Sequence, residues 1–394
     1  MINRPEYLKG LINWKDKDLI KVVSGIRGCG KSTLFNMYMQ HLKDDGIDDE
    51  HIILINLELF EYSYKDYMEL YMFVKDKIVD DKIYYIFLDE VQNIEMFQKA
   101  VVGLYTLKNV DLYISGSNSY LLDGKLATFL SGRYIEIKML PLSFKEYKSY
   151  FNLFSNEELY LKYINSSSFP YAFKLDNERE IDNYIEGLFN TIIVKDVAFM
   201  KRMLDIELFI KVIKFLYSSN GSILTIKKIT DTLIFKGKTL SFHTVENYIN
   251  LLTDSYIINK VERYDIKDKR NFLFGNKYYS TDVTLIYTLL GRNNVDIEYI
   301  LENVVYLELI RRGFRVYVGK VDDLEVDFVA ENFDGLKYYQ VALTVRDEKV
   351  LERELKPLQS TNDHYPKCLL TMDRDLETDY DGILKMNVID WLLK

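Results

Sequence analysis

The segment from Gly25 to Ser32 reads GIRGCGKS and has the spacing of a phosphate-binding loop. The pattern G-x-x-x-x-G-K-[S/T] requires a strand before it and a helix after it. An apolar run, Ile20 to Val23, precedes the loop, and an apolar-periodic stretch, Leu34 to Leu42, follows it. Both requirements are met, so the segment predicts a loop that binds nucleotide phosphates. A chance match in a glycine-bearing turn is the alternative.

The side chains of this loop have distinct expected tasks. Glycines let backbone N–H groups converge on phosphate oxygens, and the following helix adds the positive end of its dipole. We expect Lys31 to contact the β and γ phosphates of ATP, and Ser32 to ligate Mg²⁺. The predicted nucleotide contacts are Gly25, Gly28, Cys29, Gly30, Lys31, Ser32 and Thr33.

Two adjacent carboxylates, Asp89 and Glu90, follow the apolar run Tyr84 to Leu88. Ligands of open parallel sheets bind at the carboxyl ends of the strands. We therefore expect Asp89 to hold Mg²⁺, directly or through water, and Glu90 to orient or activate the water that attacks the γ phosphate. A solvated turn is the alternative for an acidic pair alone, and the phosphate loop upstream favours the catalytic interpretation.

Two further residues are candidates for contact with the γ phosphate. Asn118 follows the apolar run Leu112 to Ser115, where a polar side chain could sense the γ phosphate; a turn-forming role is its alternative. Arg133 lies just before another apolar run and could act on the nucleotide of a neighbouring subunit as an arginine finger. A surface arginine is the equal alternative, and action in trans would require a homo-oligomer.

These residues need a common scaffold. From Leu19 to Leu140 short apolar runs alternate with longer helical patterns, which is typical of a parallel sheet with crossover helices. The predicted strands are Ile20 to Val23, His51 to Leu57, Tyr84 to Leu88, Leu112 to Ser115 and Tyr134 to Ile137. The fold class is therefore α/β, with a P-loop parallel-sheet domain at residues 1–150.

The middle of the chain has the order of a winged helix-turn-helix. After a helical connection at residues 151–204, three helices and a β-ribbon are predicted within residues 205–275: Glu207 to Ser218, Thr225 to Leu233, Ser241 to Thr253, and the ribbon from Tyr256 to Tyr264. Residues 225–275 carry nine Lys or Arg against six Asp or Glu. This balance is compatible with DNA contacts, although winged helices also bind proteins.

Several stretches together resemble a known family, the prokaryotic AAA-superfamily ATPases that end in a nuclease-like domain of unknown function. They are IKVVSGIRGCGKSTL, FLDEVQNI, SGSNSYLL, LATFLSGR, PLSFKEY, LENVVYLELIRRG and EVDFVA, and they span most of the chain. The resemblance implies an ATPase core, a winged-helix middle and a restriction-endonuclease-like α/β domain at residues 276–394. Family members commonly have a second arginine where this chain has Gly28.

The last domain is expected to be degenerate as a nuclease. Such sites need metal-binding carboxylates and usually a lysine near the attacking water. Glu302 or Glu308 and Asp327 occur in the expected order. Where an active member would carry Glu and Lys, this chain has Gln340 and Ala342. Buried core residues of an α/β domain are the alternative interpretation of the whole set.

Composition limits the remaining possibilities. The net charge of -9 argues against a protein that coats nucleic acid or an anionic membrane over its whole surface. Cys29 and Cys368 do not suggest a disulfide framework, and no apolar stretch approaches a membrane span, so a cytoplasmic protein is expected.

Three functions stay open at this point. The first is an ATP-hydrolysing AAA-type switch or remodeller that acts on DNA or another partner. The second is a nucleotide-gated regulatory binding protein with little turnover. The third is an ATP-regulated nuclease, which the substitutions at Gln340 and Ala342 disfavour.

Overall fold

The computed structural model describes residues 2–59, 66–119, 132–151, 155–197, 205–219, 221–235, 237–269 and 274–394. The chain forms two compact units. The first comprises Met1–Pro141 together with Asp254–Tyr256, and the second comprises Leu142–Thr253 and Ile257–Lys394.

The first unit is built on a five-stranded sheet in the order β2-β3-β4-β1-β5, and all of its pairings are parallel. The five strands predicted from the sequence are confirmed, each within two residues of its expected bounds. Strand β3 lies inside the sheet and is buried along its whole length, as expected for a parallel strand covered on both faces. The strands are β1 (Ile20–Ser24), β2 (Ile52–Asn56), β3 (Tyr84–Asp89), β4 (Val110–Gly116) and β5 (Tyr134–Lys138).

Local sequence signals explain where the helices of the first unit begin. Pro5 occupies the first turn of α1, where its missing N–H breaks no hydrogen bond of the helix. Asp66 caps α3 by accepting hydrogen bonds from the backbone N–H groups of Met68 and Glu69. The helices are α1 (Pro5–Asn13), α2 (Lys31–Asp44), α3 (Tyr67–Asp76) and α4 (Phe97–Tyr105).

A fully buried ion pair joins two neighbouring strands of this sheet. Lys21 on β1 contacts Asp111 on β4, and neither side chain is more than 4% exposed. Asp111 also accepts hydrogen bonds from the Tyr113 hydroxyl, at 2.8 Å, and from the backbone N–H of Asp16, at 2.9 Å. The carboxylate therefore has several donors, but Lys21 supplies the balancing charge.

The second unit has helices where the sequence predicts them, at Glu207 to Ser218, Thr225 to Leu233 and Ser241 to Thr253. The ribbon predicted from Tyr256 to Tyr264 is instead one strand, Ile258–Asp265, of an eight-stranded sheet, so the winged-helix assignment stays a prediction. Capping boxes begin two of the helices, with Ser143 paired to Glu146 and Ser155 paired to Glu158. The longest helix in the described part of the chain has 15 residues, and none there is long and apolar enough to cross a membrane. The helices are α5 (Phe144–Tyr150), α6 (Asn156–Asn165), α7 (Glu178–Thr191), α8 (Ile206–Ser218), α9 (Ile226–Thr232), α10 (Phe242–Asp254, whose last residue falls in the first unit), α11 (Val283–Leu290), α12 (Ile297–Arg311), α13 (Glu348–Gln359) and α14 (Val388–Leu393).

An eight-stranded mixed sheet in the order β14-β15-β13-β12-β11-β10-β8-β9 organises the second unit. Strand β8 pairs antiparallel with β9 and parallel with β10. A separate two-stranded ribbon, β6-β7, lies outside it. The strands are β6 (Ile234–Phe235), β7 (Lys238–Thr239), β8 (Ile258–Asp265), β9 (Asn276–Ser280), β10 (Arg315–Val321), β11 (Leu324–Asn332), β12 (Gly335–Ala342), β13 (Lys367–Thr371), β14 (Thr378–Tyr380) and β15 (Ile383–Asn387).

The domain boundaries predicted at residues 204 and 275 both lie inside the second unit. The boundary at residue 275 separates β8 from β9, which are hydrogen-bonded to each other. These boundaries stay predictions, and the shared sheet joins the residues on either side of the second one.

The buried pair of Lys21 and Asp111 gives a testable expectation for stability. Lys21→Met leaves a buried carboxylate without its cation, so we expect the free energy of unfolding to fall by about 3 kcal/mol. Lys15→Met is the matched control because Lys15 pairs with Asp45 at 3.2 Å in a partly exposed position, where the expected loss is below about 1 kcal/mol. Urea denaturation followed by circular dichroism measures both, and equal small losses would contradict the assignment.

Candidate functional site

The predicted phosphate loop connects β1 to α2 at the carboxyl edge of the sheet. Gly25 and Gly30 both have positive φ angles, of 151° and 104°. A Cβ atom on Gly25 would lie 2.2 Å from the carbonyl oxygen of Met139, so the backbone could not keep this path with a larger residue. Because α2 begins at Lys31, its first N–H groups and its positive dipole end face the loop.

Lys31 is buried and lies inside the loop. Its ammonium donates to the carbonyl oxygen of Gly25 at 2.9 Å and to the hydroxyl of Ser117 at 3.1 Å. It also forms an ion pair with Glu90 at 3.4 Å. Burial alone would lower the pKa of Lys31, but the attraction of Glu90 and of nearby anionic groups outweighs it, so the pKa is raised. Lys31 therefore stays charged.

Asp89, the last residue of β3, is 1% exposed. Its carboxylate is hydrogen-bonded to the hydroxyls of Ser115 and Ser32. Burial raises the pKa of Asp89, and these two hydrogen bonds oppose the rise only in part. The contact joins the two residues predicted to bind Mg²⁺, and a hydroxyl beside a carboxylate is an oxygen donor set that suits this ion.

Glu90 follows directly and has a left-handed backbone, with φ 57°. Its carboxylate accepts hydrogen bonds from the Ser117 hydroxyl, at 2.8 and 2.6 Å, and from the Gln92 amide. Burial alone would raise the pKa of Glu90, but the attraction of Lys31 and these hydrogen bonds outweigh it, so the pKa is lowered. Glu90 is therefore held as a carboxylate, the form that can orient a water molecule.

Ser117 was missed by the sequence analysis, which chose its neighbour Asn118. Ser117 is fully buried and contacts both Lys31 and Glu90. Asn118 is 2% exposed, and its Oδ1 has no hydrogen-bond partner among the described residues. The sequence did contain a signal for Ser117. Side chains alternate along a strand, so Ser117 is expected on the same side as Ser115, two positions before it.

Three other residues of the loop were predicted to contact the nucleotide, and they differ in burial. Cys29 is fully buried, and burial raises the pKa of its thiol, so it is not a reactive thiolate. Gly28 is exposed and has a positive φ of 83°. Thr33 is half-buried in the first turn of α2.

Arg133 does not join these residues within its own chain. Its carbonyl oxygen accepts a hydrogen bond from the N–H of Ile20, the first residue of β1. The phosphate loop follows Ser24 at the other end of that strand, roughly 13 Å away at the usual rise per residue. Arg133 is exposed, with its guanidinium carbon 5.9 Å from the Tyr105 ring centroid. Action on the nucleotide of its own subunit is therefore excluded by this arrangement.

Arg4 supports the phosphate loop from the amino-terminal segment and had not been singled out. It is 2% exposed and donates to the carbonyl oxygens of Cys29, at 3.0 Å, and of Leu140, at 2.8 Å. Its guanidinium carbon lies 4.7 Å from the Tyr7 ring centroid. No local motif marks this residue, because its partners are 25 and 136 positions away in sequence.

The carboxyl-terminal candidates form a separate cluster in the second unit. Lys277 on β9 contacts Glu302 at 2.8 Å and Glu325 at 2.7 Å. Asp327 lies beside them, and burial together with the negative charge of Glu302 raises its pKa well above its usual value. Glu308, the alternative to Glu302, instead pairs with arginines of its own helix region.

The two positions that depart from the nuclease pattern lie on β12. The Gln340 side chain accepts from the N–H of Asp327 at 3.3 Å and donates to Glu354 at 3.0 Å, while Ala342 is buried. Within the described residues, no group of three or more His, Cys, Asp or Glu is arranged to hold a metal ion. Lys277, which the sequence analysis did not single out, is engaged by two carboxylates.

Comparison with known families agrees with the geometry of the first unit. Residues 17–148 match the family described as AAA domain, and residues 157–296 match a domain of unknown function, DUF8612. The parallel sheet, the phosphate loop and the family match define the first unit as a P-loop ATPase domain of the AAA superfamily. The nuclease-like assignment of the last domain gains no such support.

Two relatives that match most of the chain show the family to which it belongs. A Haemophilus influenzae protein described as uncharacterized is 37% identical over 401 residues, covering 100% of this chain and 99% of that protein. The uncharacterized protein MJ1544 of Methanocaldococcus jannaschii is 30% identical and covers 87% of this chain and 80% of its own. The chain belongs to the same protein family as these two.

Two solved structures show a distant likeness to this chain. The Walker-type ATPase PABY2304 of Pyrococcus abyssi is 15% identical, with a TM-score of 0.47 over 73% of this chain and 96% of that one. AMPPCP-bound DnaA from Aquifex aeolicus is 16% identical, with a TM-score of 0.30 over 63% of this chain and 86% of that one. Similarity at this level carries no conclusion about function.

The contacts of Arg4 give a second testable expectation. Arg4→Met removes two charge-assisted hydrogen bonds and leaves the carbonyl oxygens of Cys29 and Leu140 without this donor. We expect the affinity for ATP to fall about tenfold, which corresponds to about 1.4 kcal/mol. Lys9→Met, an exposed change on α1, should leave the affinity unchanged. Titration with a fluorescent ATP analogue measures both, and an unaltered affinity in Arg4→Met would count against a supporting role.

Proposed function

We propose that this protein is an ATP-hydrolysing switch of the AAA type. The observation that carries the proposal is the convergence of Lys31, Ser32, Asp89 and Glu90 at one edge of the parallel sheet. These residues come from the phosphate loop and from the end of β3, and side-chain contacts join Lys31 to Glu90 and Ser32 to Asp89. Convergence of a lysine, a hydroxyl and two carboxylates is what phosphoryl transfer to water requires.

Each residue has a role that follows from its contacts. Ser32 and Asp89 would hold Mg²⁺, which neutralises charge on the β and γ phosphates when bound. Lys31 would bind the same phosphates, exchanging its contacts with Glu90 and the Gly25 carbonyl for phosphate oxygens. The Ser117 hydroxyl would keep Glu90 in place during that exchange, because it donates its own hydrogen bond to the carboxylate.

The release of Lys31 would also prepare Glu90 for catalysis. In the described arrangement Lys31 is the strongest influence that lowers the pKa of Glu90. Once Lys31 turns towards phosphate, that attraction weakens and the carboxylate becomes a better proton acceptor. Binding of ATP would thereby switch Glu90 from an ion-pair partner to a group that orients water.

We further propose that the switch acts on a partner through the middle of the chain. On α10 the apolar side chains of Val245, Tyr248, Ile249 and Leu252 are buried. His243 is exposed, and so are Lys227 and Lys228 on α9. A helix with one buried face and basic residues close to it in sequence is compatible with contact to DNA phosphates. Duplex DNA is therefore the partner to test first.

Assembly into a homo-oligomer is part of the same proposal. Because Arg133 cannot reach the nucleotide of its own chain, a catalytic role for it requires a second copy. An exposed arginine at the amino edge of the sheet is available to such a copy. Hydrolysis per subunit should then rise with protein concentration.

The proposal is tested by steady-state hydrolysis of ATP with Mg²⁺, at several protein concentrations and with or without duplex DNA. Glu90→Gln should bind ATP but turn it over about 100-fold more slowly or worse, because the carboxylate that orients water is gone. Lys31→Ala should lose both the binding of ATP and its hydrolysis. Glu95→Gln, an exposed change five positions along, is the matched control and should hydrolyse ATP like the wild type.

The alternative is a nucleotide-gated binding protein. If wild type and Glu90→Gln both bind ATP tightly and neither turns it over under any condition, that description replaces the switch. If the wild type does not bind ATP, both proposals fail.

For the carboxyl-terminal domain we expect no metal-dependent DNA cleavage. Glu302 and Glu325 are both engaged by Lys277, and Gln340 and Ala342 stand where the nuclease pattern needs Glu and Lys. Incubation of single- and double-stranded DNA with Mg²⁺, Mn²⁺, Ca²⁺ or Zn²⁺, with and without ATP, checks this. Cleavage that disappears in Asp327→Ala but persists in Asp334→Ala, an exposed control, would show the expectation to be wrong.

A further inference from the structure

Three residues, Asp254 to Tyr256, link the nucleotide-binding unit to the rest of the chain. They are part of the first compact unit, although the residues before and after them belong to the second. Asp254 is the last residue of α10, and β8 begins two residues after Tyr256, at Ile258. Any displacement of this turn must therefore be passed through the covalent chain to α10 and β8.

The backbone of the turn has an unusual residue at its centre. The N–H of Ile257 donates to the carbonyl oxygen of Leu252 at 3.1 Å, which is the closing hydrogen bond of a Schellman motif. This motif places Tyr256 at the left-handed position, with φ 56°, where glycine is the common residue. The Cβ atom of a tyrosine makes this backbone conformation unfavourable. We therefore expect the contacts of the Tyr256 side chain to be the reason that a tyrosine occupies the position.

The Tyr256 side chain reaches the start of the phosphate loop. It is 7% exposed and hydrogen-bonded to Ser24, the last residue of β1 and the neighbour of Gly25. The ammonium of Lys138, at the end of β5, lies 5.2 Å from the centroid of its ring. Tyr256 thus contacts the ends of two adjacent strands on the edge where the loop lies.

Asp254 makes the third contact of the turn. Its carboxylate accepts a hydrogen bond from the Ser119 hydroxyl at 2.8 Å. Ser119 lies two residues after Ser117, whose hydroxyl contacts both Lys31 and Glu90. The turn therefore contacts the carboxyl ends of β1 and β5 and the segment that follows β4.

We propose that Tyr256 is a positioning residue for the phosphate loop, and that the Asp254–Tyr256 turn transmits nucleotide binding to helix α10. This inference rests on the proposed function, because it requires that ATP binds at the loop. When phosphate contacts reorder the residues after β1 and β4, the hydrogen bonds of Ser24 and Ser119 carry the change to the turn. The end of α10 follows because it is part of the same Schellman motif.

Hydrogen exchange of the full-length protein tests the proposal. Saturating ATP with Mg²⁺, and separately a non-hydrolysable ATP analogue, should slow amide exchange in residues 251–258 of the wild type by about threefold or more. Tyr256→Phe keeps the ring and removes the hydroxyl. It should still bind ATP, with a dissociation constant within about tenfold of the wild type, but lose the change in exchange.

Two further variants separate a coupling role from a merely structural one. Tyr256→Gly relieves the left-handed backbone and removes the side chain; it should also lose the response to ATP, even though its turn is intrinsically favoured. Tyr163→Phe is the matched control, since it removes a buried hydroxyl that donates to the Leu142 carbonyl in the second unit. It should keep both ATP binding and the response.

A double-mutant cycle locates the interaction. The effects of Ser24→Ala and Tyr256→Phe on ATP affinity should be non-additive by about threefold or more if the two side chains act through their hydrogen bond. Additive effects would overturn the positioning role.

The outcomes distinguish this inference from the proposed function. If the wild type binds ATP but exchange at residues 251–258 does not change, or if Tyr256→Phe and Tyr256→Gly retain the full response, the inference is overturned and the ATPase proposal stands. If the wild type does not bind ATP, the proposed function fails and the inference fails with it.

Discussion

Two neighbouring carboxylates, Asp89 and Glu90, are buried at the end of one strand, and their charge has to be balanced within the protein. Burying an uncompensated carboxylate is costly, so a cation or several donors must lie within contact distance. Lys31 supplies the cation, at 3.4 Å from Glu90. Hydroxyls of Ser32, Ser115 and Ser117 supply donors. The path of the phosphate loop and the order of strands β3, β4 and β1 all serve to bring these groups together.

That balance explains why the site is assembled from so many strand ends. Strand β4 lies between β3 and β1, so Ser115 near its end reaches Asp89, and Ser117 just after it reaches both Glu90 and Lys31. A phosphate group arriving at Lys31 would compete with Glu90 for the same ammonium. Lys31 would then have two competing partners, Glu90 and phosphate, and such a competition is what the proposed switch needs.

Much of this could be predicted from the sequence, because the strongest signals are local. The phosphate loop, the acidic pair and the five strands were all found from short patterns, and Asp89 and Ser32, both expected to hold Mg²⁺, are hydrogen-bonded to each other. Arg4 and Lys277 could not be found this way, since their partners are brought near only by the tertiary fold. The sequence could also have shown that Arg133 lies far from the phosphate loop of its own chain. Arg133 precedes a parallel strand, whereas the site is built from loops that follow the strands, at the opposite edge of the sheet.

The mixed sheet of the second unit has a consequence for how this family can change over time. Strands β8 and β10 pair in parallel, and β9 is held on the sheet by β8. A recombination event that replaced the chain from residue 276 onward would separate β9 from β8 and break the ladder between β8 and β10. Because β8 pairs with both β9 and β10, any replacement of the chain from residue 276 onward would have to supply strands that restore both pairings.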